Sequence, residues 1–148
     1  MRNKSDISGK RRLKPRIMKH VTRNTLLFID ASDPEITKLA LVGGSTSQHT
    51  FEGQRLSEIL LPQIKSFLKR EKNSLSDLEA IAVVAGPGRF SRIRTAVTTA
   101  NALAFGLEIK TIAVKAGTVL SEKILKQKGQ TIVRPLYDAE PNITISKK

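Results

Sequence analysis

The chain has 148 residues, no cysteine, only two histidines and a formal net charge of +13. That length builds one domain with a modest core and not two lobes. Without cysteine there are no disulfides, thiolate zinc sites or cysteine nucleophiles, and His20 and His49 are too few and too far apart in sequence for a His-based zinc protease or a Ser-His-Asp hydrolase.

The charge is concentrated at one end. Residues 1–23 carry nine Lys/Arg and one Asp, a net of +8, against 17 basic and 12 acidic residues, a net of +5, in the remainder. MRNKSDISGKRRLKPRIMKHVTR holds little that can form a core, and its composition predicts a disordered basic tail. It reads as an electrostatic arm for RNA, as a solvated extension upstream of a start at Met18, or as an Arg-rich transit peptide. The folded unit is expected over residues 24–148. No apolar run approaches a membrane span and no signal-peptide pattern is visible, so the expected location is the cytoplasm, with no membrane partner.

TLLFID, residues 25–30, predicts a short apolar strand that ends in an acid. A turn at SDPE leads to KLALV, and Gly43-Gly44 separates that run from TSQHTF, so three consecutive antiparallel strands are expected. In QRLSEILLPQIKSFLKREK the residues Leu56, Ile59, Leu60, Ile64, Phe67 and Leu68 recur at helical spacing. Pro62 inside this pattern is expected to kink the helix or to mark the start of its regular part. Ser74 or Ser76 caps a short turn; AIAVVA is a buried strand and GPG follows it. A helix is predicted over about residues 91–105, with Gly106 as its C-cap. KTIAV then reads as a strand, TVLSEKILKQ as a last helix ending at Gly129, and TIVRPLY and NITI as short terminal strands. This order predicts a mixed α/β fold, with helices on the faces of one sheet.

Both long helices carry more apolar surface than one sheet face requires. At ~100° per residue, the apolar arc of the first, from Ile59 through Leu56, Ile64 and Leu68 to Leu61, spans roughly 200°, against the ~100° stripe of an ordinary surface helix. In the second, TAVTTANALAFGL is thirteen residues without a charge. Ile93, Ala96, Val97, Ala100, Leu103 and Ala104 make one stripe, and Thr95, Thr98, Ala102 and Phe105 fall opposite it. An uncharged face of small residues admits another helix closely and marks an interface, unless the chain's own last helix covers it. The candidate interface residues are therefore Leu56, Ile59, Leu61, Leu68, Thr95, Thr98, Ala102 and Phe105.

The second candidate site is the loop GPGRFSRIR. A Gly-Pro-Gly turn between a strand and a helix N-terminus converges backbone N–H groups, as phosphate cradles do. Asp30, Ser32, Gly86, Pro87, Gly88, Arg89, Ser91 and Arg92 make up the set, with Arg89 and Arg92 as attractors of an anion. The same glycines equally serve as a tight strand-to-helix turn, which is the preferred reading: a vestigial phosphate loop. No catalytic residue, metal site or cofactor is expected.

TLLFIDAS, SEILLPQIKSFL, SLSDLEAIAVVAGPGRFSRIRTAV and ANALAFGLEIKTIAV, in that order, resemble the N-terminal lobe of the TsaB family, the bacterial tRNA threonylcarbamoyladenosine biosynthesis proteins formerly grouped with glycoproteases. The similarity covers residues 25–114, and PLYDAEPNITISKK resembles the family's C-terminus. The family ends its first strand in Asp-Thr-Ser and has a Gly-Pro-Gly-Ser-Phe-Thr-Gly-x-Arg loop. Asp30, Ser32, Gly86, Pro87, Gly88, Phe90 and Arg94 match that pattern, whereas Ala31, Arg89, Ser91 and Arg92 depart from it. A family His near the start of the first helix is absent, with Leu56 lying nearby. Between Gly129 and Thr131 the chain passes almost directly to its terminal strands, where the family has a second lobe, so a shortened form lacking most of that lobe is expected.

The resemblance implies a single actin-like, sugar-kinase-like lobe and a non-catalytic scaffold subunit. Such a subunit pairs through a bundle of its first two helices with the related catalytic subunit TsaD, and a small ATPase, TsaE, joins them. The complex transfers threonylcarbamoyl from threonylcarbamoyl-AMP to the adenosine beside the anticodon of certain tRNAs. Contact with tRNA is expected to be indirect or weak, through basic residues, and self-pairing through the same helices is a further arrangement they allow. Two other classes stand beside this one. The first is a nucleotide-binding, ATPase-like domain using Asp30 and the loop; the second is a basic RNA-binding module led by the tail.

Overall fold

The structure is a computed structural model, described here for residues 25–137. Five strands form one mixed sheet: β1 (Thr25–Asp30), β2 (Ile36–Val42), β3 (Thr46–Glu52), β4 (Leu78–Gly86) and β5 (Lys110–Lys115), in the order β3-β2-β1-β4-β5. The first three are the antiparallel meander expected from the turn residues, with Leu27 opposite Leu41 and Leu39 opposite His49. β1 then pairs parallel with β4, and β4 with β5, each across a connecting helix. Those helices are α1 (Leu56–Arg70) and α2 (Phe90–Leu107).

Both faces of the central strands are apolar, which explains why LLFI and AIAVV are unbroken runs rather than alternating ones. Leu27, Ile29, Leu39, Leu41, Ile81 and Val83 point into one core with α1 and α2. Leu26, Phe28, Ala40, Val42, Ala82, Val84 and Ile112 form a second core, on which Leu120, Ile124 and Leu125 pack. The edge strand β3 alternates instead: Ser47, His49 and Phe51 are half-buried, and the residues between them are exposed. His49 is a structural residue, its ring centroid 5.8 Å from those of Phe51 and Phe67. Its Nε2 donates to Gln63 Oε1 at 2.9 Å, and Arg70 Nη1 donates to its Nδ1 at 3.4 Å, so β3 is tied to α1.

Several boundaries differ from expectation. α1 runs unbroken through Pro62. α2 continues to Leu107, so Gly106 lies inside it and Glu108 takes the left-handed cap at φ 57°. There the Ile109 N–H reaches Ala104 O at 3.0 Å and the Ile109 side chain packs on the core, a hydrophobic gain that outweighs the preference for glycine at that position. The expected last helix is only a 3-10 turn, Glu122–Lys126, because Ile124 alone is fully buried beneath it. TIVRPLY is not a strand. Gln130 makes one bridge to Thr111, and the chain then leaves the sheet edge to cross α2 as an extended strap. There the Asn101 side chain replaces a strand partner, taking the Val133 N–H on Oδ1 and donating from Nδ2 to the Val133 carbonyl, both at 2.9 Å. The expected NITI strand, the basic tail and the last residues of the predicted lobe lie outside the described residues.

Candidate functional site

β1 and β4 are parallel neighbours, so their C-terminal ends bring Asp30, Ser32 and the Gly86–Gly88 turn together at one end of the sheet. Asp30 Oδ1 accepts from Ser32 N at 2.9 Å and from Ser32 Oγ at 2.6 Å, which closes the strand-end turn locally. Gly86 has φ +129°, and a Cβ there would lie 1.8 Å from the Leu136 carbonyl oxygen. The strap is the cause: Leu136 N donates to Ala85 O at 2.6 Å, so strap backbone is pressed against the loop. At Gly88 a Cβ would lie 2.8 Å from Ile93 Cδ1 and 3.1 Å from Ser32 Cα. The glycines are explained by these close approaches, while Pro87 between them is exposed and joined to Gly86 by a cis peptide.

The Arg92 guanidinium, expected to attract an anion, is instead engaged with acceptors inside the chain. It is buried, its Nε donating to Asp33 O at 2.9 Å, Nη2 to Thr37 Oγ1 at 2.6 Å and Nη1 to Gly53 O at 3.4 Å. One guanidinium thereby clamps α2 to the β1–β2 turn, to β2 and to the β3–α1 connection. Burial lowers its pKa, Asp33 opposing this and Arg89 adding to it. Asp33 is exposed, and its carboxyl is held below the ordinary carboxylate range by the N–H groups of Glu35 and Ile36, at 2.8 and 2.9 Å, with Arg92 adding to the effect. A groove of about 690 Å³ opens between these loops, lined by Pro34, Glu35, Glu52, Gly53, Arg89 and Ser91 among others. Two glutamates face its arginines, so the groove is not uniformly cationic. Asp30, Ser32 and Gly86–Gly88 are not among its lining residues.

The interface candidates also separate. Leu56 and Leu68 are buried at 4% and 2% exposure within the chain's own core and present no free surface. Ile59 is half-buried, its Cδ1 lying 2.2 Å from where a Gly53 Cβ would stand. The helical wheel showed a wide apolar arc, but it could not show that the chain's own core would cover all of it except the flank at Leu61. What remains outward is Leu61 on α1, 41% exposed, and on α2 the row Thr98, Ala102 and Phe105 with half-buried Thr95 beside it. Phe105 is 83% exposed. The alternative, that the chain's own last helix covers this face, does not hold, since the 3-10 turn packs on the opposite side of the sheet.

This geometry can be set against known proteins. Residues 45–142, well over half of the chain, match the family described as TsaD: tRNA N6-adenosine threonylcarbamoyltransferase. The tRNA threonylcarbamoyladenosine biosynthesis protein TsaB of Escherichia coli (strain K12) is 29% identical over 116 residues, 77% of this chain and 50% of that protein. This chain belongs to the TsaB family. The TsaB protein of Haemophilus influenzae is 27% identical over 119 residues, again covering 50% of its length. The solved structure of YeaZ from Pseudomonas aeruginosa superposes with a TM-score of 0.58 at 35% identity, over 62% of this chain and 44% of that one. The expected actin-like, sugar-kinase-like lobe is therefore the fold of this TsaB-family chain. The chain spans about half the length of the curated relatives it matches. No helix among the described residues is long and apolar enough to cross a membrane.

Sequence reasoning missed two features of the site. The strap clamp at Asn101 has no local signature, because an Asn inside a helix is ordinary and its partner lies far along the chain. The second is an aromatic pair, Phe90 and Tyr137, with ring centroids 4.4 Å apart. Its one available clue was that Tyr137 is the chain's single tyrosine.

Proposed function

We propose that this TsaB-family chain is a non-catalytic scaffold subunit in tRNA threonylcarbamoyladenosine biosynthesis, docking through α2 and the adjoining part of α1 on a TsaD-like catalytic subunit. The observation that carries the reading is the outward row of α2: an uncharged stretch ending in a phenylalanine 83% exposed to solvent. Burying such a side chain contributes roughly 1.5–3 kcal/mol to an association, and the small residues Thr98 and Ala102 allow a helix to approach closely. The family assignment supports a partner from the same modification system, with a TsaE-like ATPase as a further member. A scaffold needs no chemistry of its own. The Gly86–Gly88 turn, filled by the strap and by Ser32, and Arg92, committed to three internal acceptors, favour this reading over an ATPase using the loop.

The test is co-purification with the TsaD-like protein of the same genome, with light scattering for the mass of the complex. A one-to-one complex is expected, and Thr98→Glu or Ala102→Arg should abolish it while the variants melt at the wild-type temperature. Normal binding by both variants would move the contact elsewhere. A homodimer that ignores the catalytic subunit would replace the partner with a second copy.

A further inference from the structure

The N-terminal end of α2 holds a cluster that the docking face does not use. Phe90 is 44% exposed, and the Tyr137 ring lies against it at 4.4 Å with a tilt of 35°. The Arg94 guanidinium sits 5.8 Å from the Phe90 centroid. Arg89 and Arg134 are exposed on the same two segments. Residues 89–107 and 129–137, which are α2 with its leading residue and the strap, contain four arginines and no acid, while Glu35 and Glu52 of other loops line the groove beside Arg89. Arg92 is turned inward, which leaves Arg89, Arg94 and Arg134 for solvent. The next acids in sequence, Asp138 and Glu140, lie outside the described residues.

Each part of this cluster has the same chemical preference. An aromatic pair offers π faces, and an arginine over one of them adds a planar cation of the kind that stacks on nucleobases. Arg94 and Arg134 have no acid on their own segments, and arginines so placed attract a polyanion. A single-stranded nucleic acid matches both parts at once, because it supplies unpaired bases and phosphates together. We propose that Phe90 and Tyr137, with Arg94 beside them, are a platform for an unpaired base of single-stranded RNA, with Arg134 taking a flanking phosphate. Phe90 lies ~22 Å along α2 from Phe105 at 1.5 Å per residue, so the platform and the docking face can be occupied together. The inference stands whether or not the catalytic subunit docks on α2.

Fluorescence anisotropy of the full chain tests this, with a fluorescein-labelled single-stranded oligoadenylate as probe and the same strand in a duplex as control, each at low and high salt. Phe90→Ala should weaken single-strand binding about ten-fold, the scale of losing one base stack, and the loss should persist at high salt. Duplex binding should be unchanged. Arg94→Glu and Arg134→Glu should weaken the single strand chiefly at low salt. Tyr137→Leu repeats the stacking test should Phe90→Ala fail to fold. If the aromatic variants bind the single strand as the wild type does at both salts, the affinity belongs to the basic tail and the platform is wrong. Loss of catalytic-subunit capture with RNA binding intact would make the cluster a protein contact and overturn the proposal equally.

Discussion

Gly86 shows most directly how one residue can be read in two ways. In the sequence it belongs to a phosphate-cradle pattern; in the fold it is the point where the strap crosses the end of β4. Any side chain there meets the Leu136 carbonyl and must also adopt φ +129°, a conformation that L residues avoid. Gly86→Ala should therefore destabilise the domain by about 2 kcal/mol or more, read from the denaturant midpoint. Asp33 allows a pH test. Its carboxyl accepts two backbone N–H groups only when folded, so its folded pKa lies below the unfolded value of ~3.9. The stability it contributes is complete above that unfolded value and is lost as pH falls through the lowered folded one. A carboxyl titration by NMR should place Asp33 below an unfolded reference, and Asp33→Asn should flatten the acid-side fall in stability.

At the scale of elements, α2 is the organising piece. Of its predicted inner stripe, Ile93, Ala96, Val97, Ala100 and Ala104 are buried and Leu103 is half-buried. One flank is held by the strap and the outward row is free for a partner. Asn101→Ala removes both bonds to Val133 and should cost about 1–2 kcal/mol. Its sharper signature is hydrogen exchange: the Val133 amide should lose protection while amides of β1 and β4 keep theirs. The strands and both long helices were legible in the sequence because the signals that specify them are local: apolar runs for β1 and β4, Gly-Gly for the hairpin, helical spacing for α1 and α2. The last third was not. A stretch such as TVLSEKILKQ satisfies a helical pattern equally well as a helix and as a connector that buries one isoleucine, and only the sheet face beneath it decides. Pro135 and the departure of the chain from the β5 edge likewise turned a predicted strand into a strap.

At the scale of the whole molecule, the sheet has a helical side and a side on which Leu120, Ile124 and Leu125 pack, and the proposed docking face lies on the helical side. The co-purification experiment belongs to this scale, since the function proposed for the outward row of α2 is exercised only in an assembly. The sequence by itself determined the order of elements as far as β5, the antiparallel meander, the turn chemistry of the loop and, through its motifs in register, the TsaB resemblance. These are properties of short windows, where spacing and backbone preference suffice. Only the tertiary structure decided that Leu56 and Leu68 are core and Phe105 is surface, that Arg92 is an internal clamp, and that Phe90 meets Tyr137. Those outcomes depend on which distant segment arrives at each residue, and a helical wheel carries the angle of a side chain but not the identity of what covers it.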